Sequence, residues 1–218
     1  MAAEVNKSRQ RYLNRSGLPK RFHGVLLDHL DVPDSVALEC EALVTRMIED
    51  APPYGKGIIL YGPPGRGKTT IATATLTEAL LRVPREILGK CWDSDSKRPG
   101  YYMTYAEFIQ TYQASWKSGQ EDAEELVKDL FFRNPAAHDY WNTRLLVLDD
   151  VGKEHKGPSG FTVATLHDLL RSRYDKSAPT IITTNLDPHE WGDVYGEAMA
   201  SFIKEAFALV AVDGRDRR

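Results

Sequence analysis

The stretch GPPGRGKTT, Gly62 to Thr70, restricts the possible folds of this chain more than any other. It follows a short apolar run, Gly57-Ile58-Ile59-Leu60-Tyr61, and leads into KTTIATATLTEALLR, Lys68 to about Arg82, which reads as a helix. An apolar run of that length, stopped by glycine and proline, is the pattern of a strand buried on both faces. Gly62, Gly67, Lys68 and Thr69 fall in the register G-x-x-x-x-G-K-[ST]. The glycines let the backbone curl around an anion with its N–H groups inward, and the following helix adds the positive end of its dipole. Lys68 is then placed for the β- and γ-phosphates of a nucleotide, and the Thr69 hydroxyl for Mg²⁺. The plain alternative is a Gly/Pro turn that happens to precede a lysine. A chance match to four fixed positions in a chain of this length is on the order of 1%. The phosphate-holding residues are therefore expected to be Gly62, Pro63, Pro64, Gly65, Arg66, Gly67, Lys68, Thr69 and Thr70.

A phosphate loop of this kind requires a second element, a buried strand ending in an acid that holds the magnesium shell. LLVLDDVGKE, residues 145 to 154, fits that need. Asp149 is the expected Mg²⁺ partner, and Asp150 the expected base that orients attacking water. Period-two alternation points adjacent strand side chains apart, so both acids share a site only if the chain leaves regular strand geometry there, as Val151-Gly152 permits. A third element is PTIITTNLDP, Pro179 to Pro188, an apolar strand ending in polar residues at the sheet's carboxyl edge, where ligands of open α/β sheets bind. Asn185 there is positioned to hydrogen-bond a γ-phosphate and the water. An Asn-Leu-Asp-Pro turn closing a strand is the competing explanation.

Further helices are expected at Ser35 to about Asp50, Ala106 to about Trp116, Glu121 to about Phe132 and Phe161 to Tyr174. Further strands are expected at 101–104, 180–183 and 207–212, with a surface loop at 83–100. Strands alternating with helices imply an α/β fold, a parallel sheet with helices on both faces. Residues 1–22 are polar and basic and read as a flexible arm, leaving 23–218 as one domain. The formal net charge of −3 excludes a globally basic nucleic-acid binder but not a local basic groove. Cys40 and Cys91 lie far apart and support neither a disulfide framework nor a metal site. With no signal-peptide pattern and no membrane-length apolar run, a soluble cytoplasmic protein is the expectation.

GPPGRGKT, LLVLDD, RSRYDKSAPTIITTNL and the terminal GRDRR together resemble the AAA+ ATPase domain of bacterial and phage helicase loaders of the DnaC type; transposition helper ATPases of the IstB type share the pattern. The similarity covers roughly residues 15 to 218. It implies an ASCE-type P-loop NTPase with a five-stranded sheet of order 5-1-4-3-2. It also implies ATP and Mg²⁺ as cofactors, self-oligomers with ATP at subunit interfaces, single-stranded DNA contact and a replicative ring helicase as partner. SGLPKRF, Ser16 to Phe22, resembles the segment that leads into the domain and passes near the adenine.

The chain departs from the loader pattern twice. Only fifteen residues precede SGLPKRF, too few for the separate helicase-gripping domain those loaders carry, so a helicase would be held by a short arm that folds on contact. The family tends to have Ser-Arg-Leu before its last strand, the arginine acting on a neighbour's γ-phosphate, where this chain has Ser201-Phe202-Ile203. The expected replacement is Arg173, or Arg171, at the end of the Phe161–Tyr174 helix; the alternative is that both are exposed helix-end cations. Lys204 lacks the planar fork and is the weaker substitute. Arg218 matches the family's cis-acting second sensor, against the alternative of a solvated basic tail. The aromatic stretch YYMTYAEFIQTYQASWKSG, residues 101–119, suits base stacking, but Phe108, Tyr112 and Trp116 at helical spacing suit a core stripe better. Three rival functions remain open: a transposition helper, a P-loop small-molecule kinase using the 83–100 insert as a lid, and a non-hydrolysing nucleotide-gated module.

Overall fold

A computed structural model describes residues 10, 12–49, 51–82, 98–131, 143–153 and 160–213. Its elements in chain order are α1 (Asp34–Glu49), β1 (Gly57–Tyr61), α2 (Lys68–Arg82), β2 (Gly100–Thr104), α3 (Tyr105–Ala114), α4 (Glu121–Leu130), β3 (Leu145–Val151), α5 (Gly160–Asp175), β4 (Thr180–Thr184), α6 (Trp191–Tyr195), α7 (Glu197–Ala206) and β5 (Phe207–Ala211). The five strands form one parallel sheet of order β2-β3-β4-β1-β5. This is the expected order 5-1-4-3-2 read from the other edge. Helices α6 and α7 were not anticipated, although Met199, Phe202, Ile203 and Ala206 carry the helical period and are buried.

Alternation along the central strands builds the two core layers. Ile58, Leu60, Leu145, Val147 and Ile181 face the layer shared with α1 and α2. Ile59, Leu146, Leu148 and Ile182 face the layer shared with α3, α5 and α7. Both faces of β1, β3 and β4 are thus apolar, which is why these strands read as unbroken hydrophobic runs. Helix α3 is started by a capping box: the Thr104 hydroxyl accepts from Glu107 N, and the Glu107 carboxylate accepts from Thr104 N. Phe108 is fully buried and lies against the rings of Tyr105, Tyr112 and Phe131. Of the helix's aromatic stripe only Trp116 is largely exposed, so the stripe belongs to the core.

The expected arm ending at residue 22 needs correction. Tyr12, Leu13, Leu18 and Phe22 are buried in the α1–α2 layer, while Lys20 and Arg21 point outward. Apolar residues spaced among the cations anchor the segment, and Ser16 O accepts a hydrogen bond from Tyr102 N at 2.6 Å. Gly17, at φ +68, brings its backbone so close to Tyr102 O that a Cβ would stand 2.3 Å away. Residues 1–9, the 83–97 part of the insert and 214–218, with Arg218, lie outside the described residues.

Candidate active site

The loop between β1 and α2 curls as its glycines allow, with φ of +135 at Gly62, +82 at Gly65 and +88 at Gly67. Gly62 also packs against β5, where a Cβ would meet Val212 O at 2.9 Å. Lys68 opens α2 and is buried; its ammonium donates to the carbonyls of Gly62 (2.6 Å) and Pro63 (2.8 Å). The cation is therefore held under the curled backbone, at the helix N-terminus where an anion is favoured.

Asp149 ends the apolar run of β3, on the α2 side of the sheet with Val147. Only 3% of it is exposed, yet both oxygens are engaged. Oδ1 accepts from the Thr69 hydroxyl (2.9 Å) and the Thr183 hydroxyl (2.5 Å), and Oδ2 accepts from the Tyr102 phenol (2.8 Å). Four elements, α2, β2, β3 and β4, thus converge on one carboxylate. Burial, then the neighbouring Asp149 charge, pushes the Tyr102 phenol well above its usual range, so it remains a donor. Thr183 and Tyr102 escaped sequence reasoning. Thr183 lies in the quoted TTN string, but Tyr102 becomes a partner only because β2 is laid beside β3.

The departure from strand geometry falls at Asp150 itself. Its φ is +62, and the β3–β4 register runs Leu148↔Ile182 then Val151↔Thr184, three residues against two. This bulge moves Val151 into the same core layer as Leu148 and frees Asp150 from pointing away from Asp149. Asp150 N donates to the Thr183 hydroxyl (3.0 Å), so that hydroxyl links both acids. The Asp150 carboxylate pairs with Lys153 at 2.6 Å, a cation that sequence reasoning also missed.

Asp150, Lys153 and Asn185 line a cleft with Pro64 to Thr70, bordered also by Arg21, Phe22 and Leu30. Phe22 and Leu30 add an apolar patch to its wall, with the Arg21 guanidinium 4.8 Å from the Phe22 ring centroid, suited to a heteroaromatic base. Thr69 in the cleft and Asp149, to which it donates, provide hard oxygens, the donors Mg²⁺ takes. Among the described residues no group of three or more His, Cys, Asp or Glu could hold a metal by itself.

The family model for AAA, "ATPase family associated with various cellular activities", matches residues 58–190. The chain belongs to the AAA family of ATPases. Among curated proteins none matches it in sequence. Solved structures similar to it include the DnaC helicase loader, at 24% identity and TM-score 0.62, over 89% of this chain and 100% of that one. DnaI matches at 18% identity and TM-score 0.62, over 92% and 94%. Replication initiator DnaA bound to AMPPCP and single-stranded DNA matches at 19% identity and TM-score 0.61, over 88% and 51%. At these identities the likeness is one of fold. No helix among the described residues is long and apolar enough to cross a membrane.

The arginines of this AAA chain differ from expectation. Arg173 is fully buried. It donates through Nε to the Thr180 hydroxyl, through Nη1 to Leu130 O and Thr143 O, and through Nη2 to Arg144 O and Pro179 O. A guanidinium committed to internal acceptors is not available to a neighbouring subunit, so Arg173 is withdrawn as the trans-acting residue. Burial, then the Arg144 charge, lowers its pKa to about 9. Arg171, two residues earlier on the same helix, is exposed; its guanidinium lies 4.6 Å over the ring of Phe202. Phe202, itself buried, holds the position where the loader pattern has arginine. Lys204 is exposed.

Proposed function

We propose that the chain is a Mg²⁺-dependent ATPase working as a helicase-loader-like protein in DNA replication, an oligomer with ATP at subunit interfaces that couples its cycle to single-stranded DNA and a replicative ring helicase. The observation that carries the ATPase part is Asp149 tied to Thr69 and Thr183, with Asp150, Lys153 and Asn185 lining the same cleft as the phosphate loop. The loader part is supported by the loader-type motifs and by the similar folds of DnaC and DnaI.

Lys68 leaves the carbonyls of Gly62 and Pro63 to meet the β- and γ-phosphates. Thr69 and Asp149 would hold Mg²⁺, which would supply positive charge against the phosphates. Asp150, aimed by the bulge, accepts a proton from the attacking water once Lys153 shifts to the phosphate, and Asn185 positions that water. Arg171 is the trans-acting arginine, Phe202 serving as the platform that holds its guanidinium outward.

Mixing two inactive subunits tests that assignment. Lys68→Ala lacks a working loop but still offers Arg171; Arg171→Ala has a working loop but offers no arginine. Recovery of ATPase activity on mixing supports action across the interface, and two preparations that stay inactive together refute it. The loader reading is tested by pull-down with the cognate replicative helicase, with and without ATP. No complex in either condition removes the loader reading and leaves the ATPase standing.

A further inference from the structure

The opposite, amino-terminal edge of the sheet carries a second feature, which the ATPase reading leaves unused. A shallow recess lies where β1, β3 and β4 begin, lined by Arg46 and Met47 of α1, Pro53, Tyr54 and Lys56 before β1, Arg144 before β3, and Ser177 and Pro179 before β4. Three of its lining side chains are cationic, and no carboxylate lines it among the described residues. Arg46 Nη2 is shut off from water and has no hydrogen-bond acceptor. A buried guanidinium donor is rarely left without a partner, because its desolvation is uncompensated. Burial lowers the pKa of Arg46 as well. Behind the recess sits the buried Arg173, whose guanidinium is disfavoured by burial first and by Arg144 second. Glu39 favours the Arg46 charge from outside the lining, but three cations around a recess lined by no carboxylate repel one another, and an entering anion relieves them.

The walls narrow the kind of anion. Tyr54 is 51% exposed, one of few large apolar side chains left outside, and it adjoins Pro53. A flat ring beside arginine and lysine is the arrangement that stacks a base while forked guanidiniums take the phosphate. We propose that this recess seats the backbone phosphate of a single-stranded nucleic acid, with an adjoining unpaired base on Tyr54. The proposal rests on the single-stranded DNA reading above and gives it a location, on the sheet edge away from the nucleotide.

The test is fluorescence anisotropy of a labelled oligothymidine of about 16 nucleotides, with ATP and Mg²⁺, across a salt series. Because Arg46 is half-buried, the lead variant is Lys56→Gln/Arg144→Gln, with Arg46→Met added only where thermal unfolding shows an intact fold. Each cation removed is expected to make the slope of log affinity against log salt shallower by about 0.7. Tyr54→Ala is expected to weaken binding about five- to a hundredfold without changing the slope. ATP affinity should stay unchanged in all of them. Wild-type affinity and slope in the double variant overturn the recess and leave the single-stranded DNA reading intact. No oligothymidine binding by the unaltered protein overturns both. Displacement by free thymidine monophosphate, or by an acidic peptide, at concentrations matching the oligomer's nucleotides overturns the assignment to a strand.

Discussion

Two buried charges sit at opposite ends of the same pair of strands, and they are held differently. Asp149, at the carboxyl end of β3, is surrounded by three side-chain hydroxyls from α2, β2 and β4. Arg173 reaches the amino ends of β3 and β4 and is surrounded by four backbone carbonyls and one hydroxyl. Hydroxyls rotate and both donate and accept, so the Asp149 shell can reorganise when a metal ion and phosphates approach. Carbonyls fixed in helix ends and strand starts cannot, so Arg173 fastens α4, α5, β3 and β4 together. A charge solvated by mobile side chains beside a cleft belongs to chemistry. One solvated by rigid backbone belongs to architecture.

The sharpest way to break that contrast is to neutralise each charge. Arg173→Met removes the donor from the Leu130, Thr143 and Arg144 carbonyls and leaves Pro179 O only the 3.4 Å bond from Leu146 N, and should cost about 3–5 kcal/mol, a large part of the roughly 5–15 kcal/mol that holds a domain together. Urea unfolding measures it, and a midpoint equal to the wild type's would show that the carbonyls find other donors. Arg173→Lys should recover little, because an ammonium cannot span five acceptors. Asp149→Asn keeps the shape and an acceptor oxygen, so stability should change by no more than about 1 kcal/mol, while Mg²⁺-dependent nucleotide affinity falls by at least about tenfold, roughly 1.4 kcal/mol. A destabilisation matching that of Arg173→Met would erase the distinction.

The contrast also separates the two acids. Asp149 is expected to serve binding and Asp150 hydrolysis alone. Asp150→Asn should keep nucleotide affinity and lower the hydrolysis rate about 10²- to 10⁴-fold, measured by equilibrium binding beside phosphate release. Equal loss of binding in both variants refutes the division. Lys153→Ala sharpens it further: removing the 2.6 Å partner should affect turnover and leave affinity within about threefold, below a kcal/mol.

The carboxyl end of the sheet was largely legible in the sequence, because glycine spacing, an apolar run ending in acids and a TTN string are local patterns with local causes. Strand order was legible only through the family resemblance, since no single strand encodes its neighbours. Asp150 could be expected to need irregular backbone but not to carry it, because either Gly152 or a left-handed aspartate can re-aim the pair. The error at Arg173 was avoidable. Leu166, Leu169, Leu170 and Arg173 follow the spacing i, i+3, i+4, i+7 and are all buried, so periodicity alone placed that arginine on the core stripe and Arg171 off it. The N-terminal segment misled through composition: its cations suggested an arm, while Tyr12, Leu13, Leu18 and Phe22 carried the packing.

Tyr102 links two regions of the molecule. Its phenol donates to Asp149 while its backbone N–H donates to Ser16 O, so the N-terminal segment braces the strand that braces Asp149. Tyr102→Phe removes only that oxygen and should cost about 1 kcal/mol, with Mg²⁺ half-saturation of nucleotide binding weakened about tenfold. A pH signature reports how firmly the fold keeps that phenol protonated. The phenol's pKa is raised in the fold, by burial first and Asp149 second, so the folded protein keeps a proton that the unfolded chain releases above about pH 10. Its contribution is fully present below that pH and is lost as pH rises further. Wild-type stability should therefore fall more steeply above about pH 10 than that of Tyr102→Phe, the two running parallel below it, and identical alkaline slopes would show that the fold does not keep the phenol buried and protonated in solution.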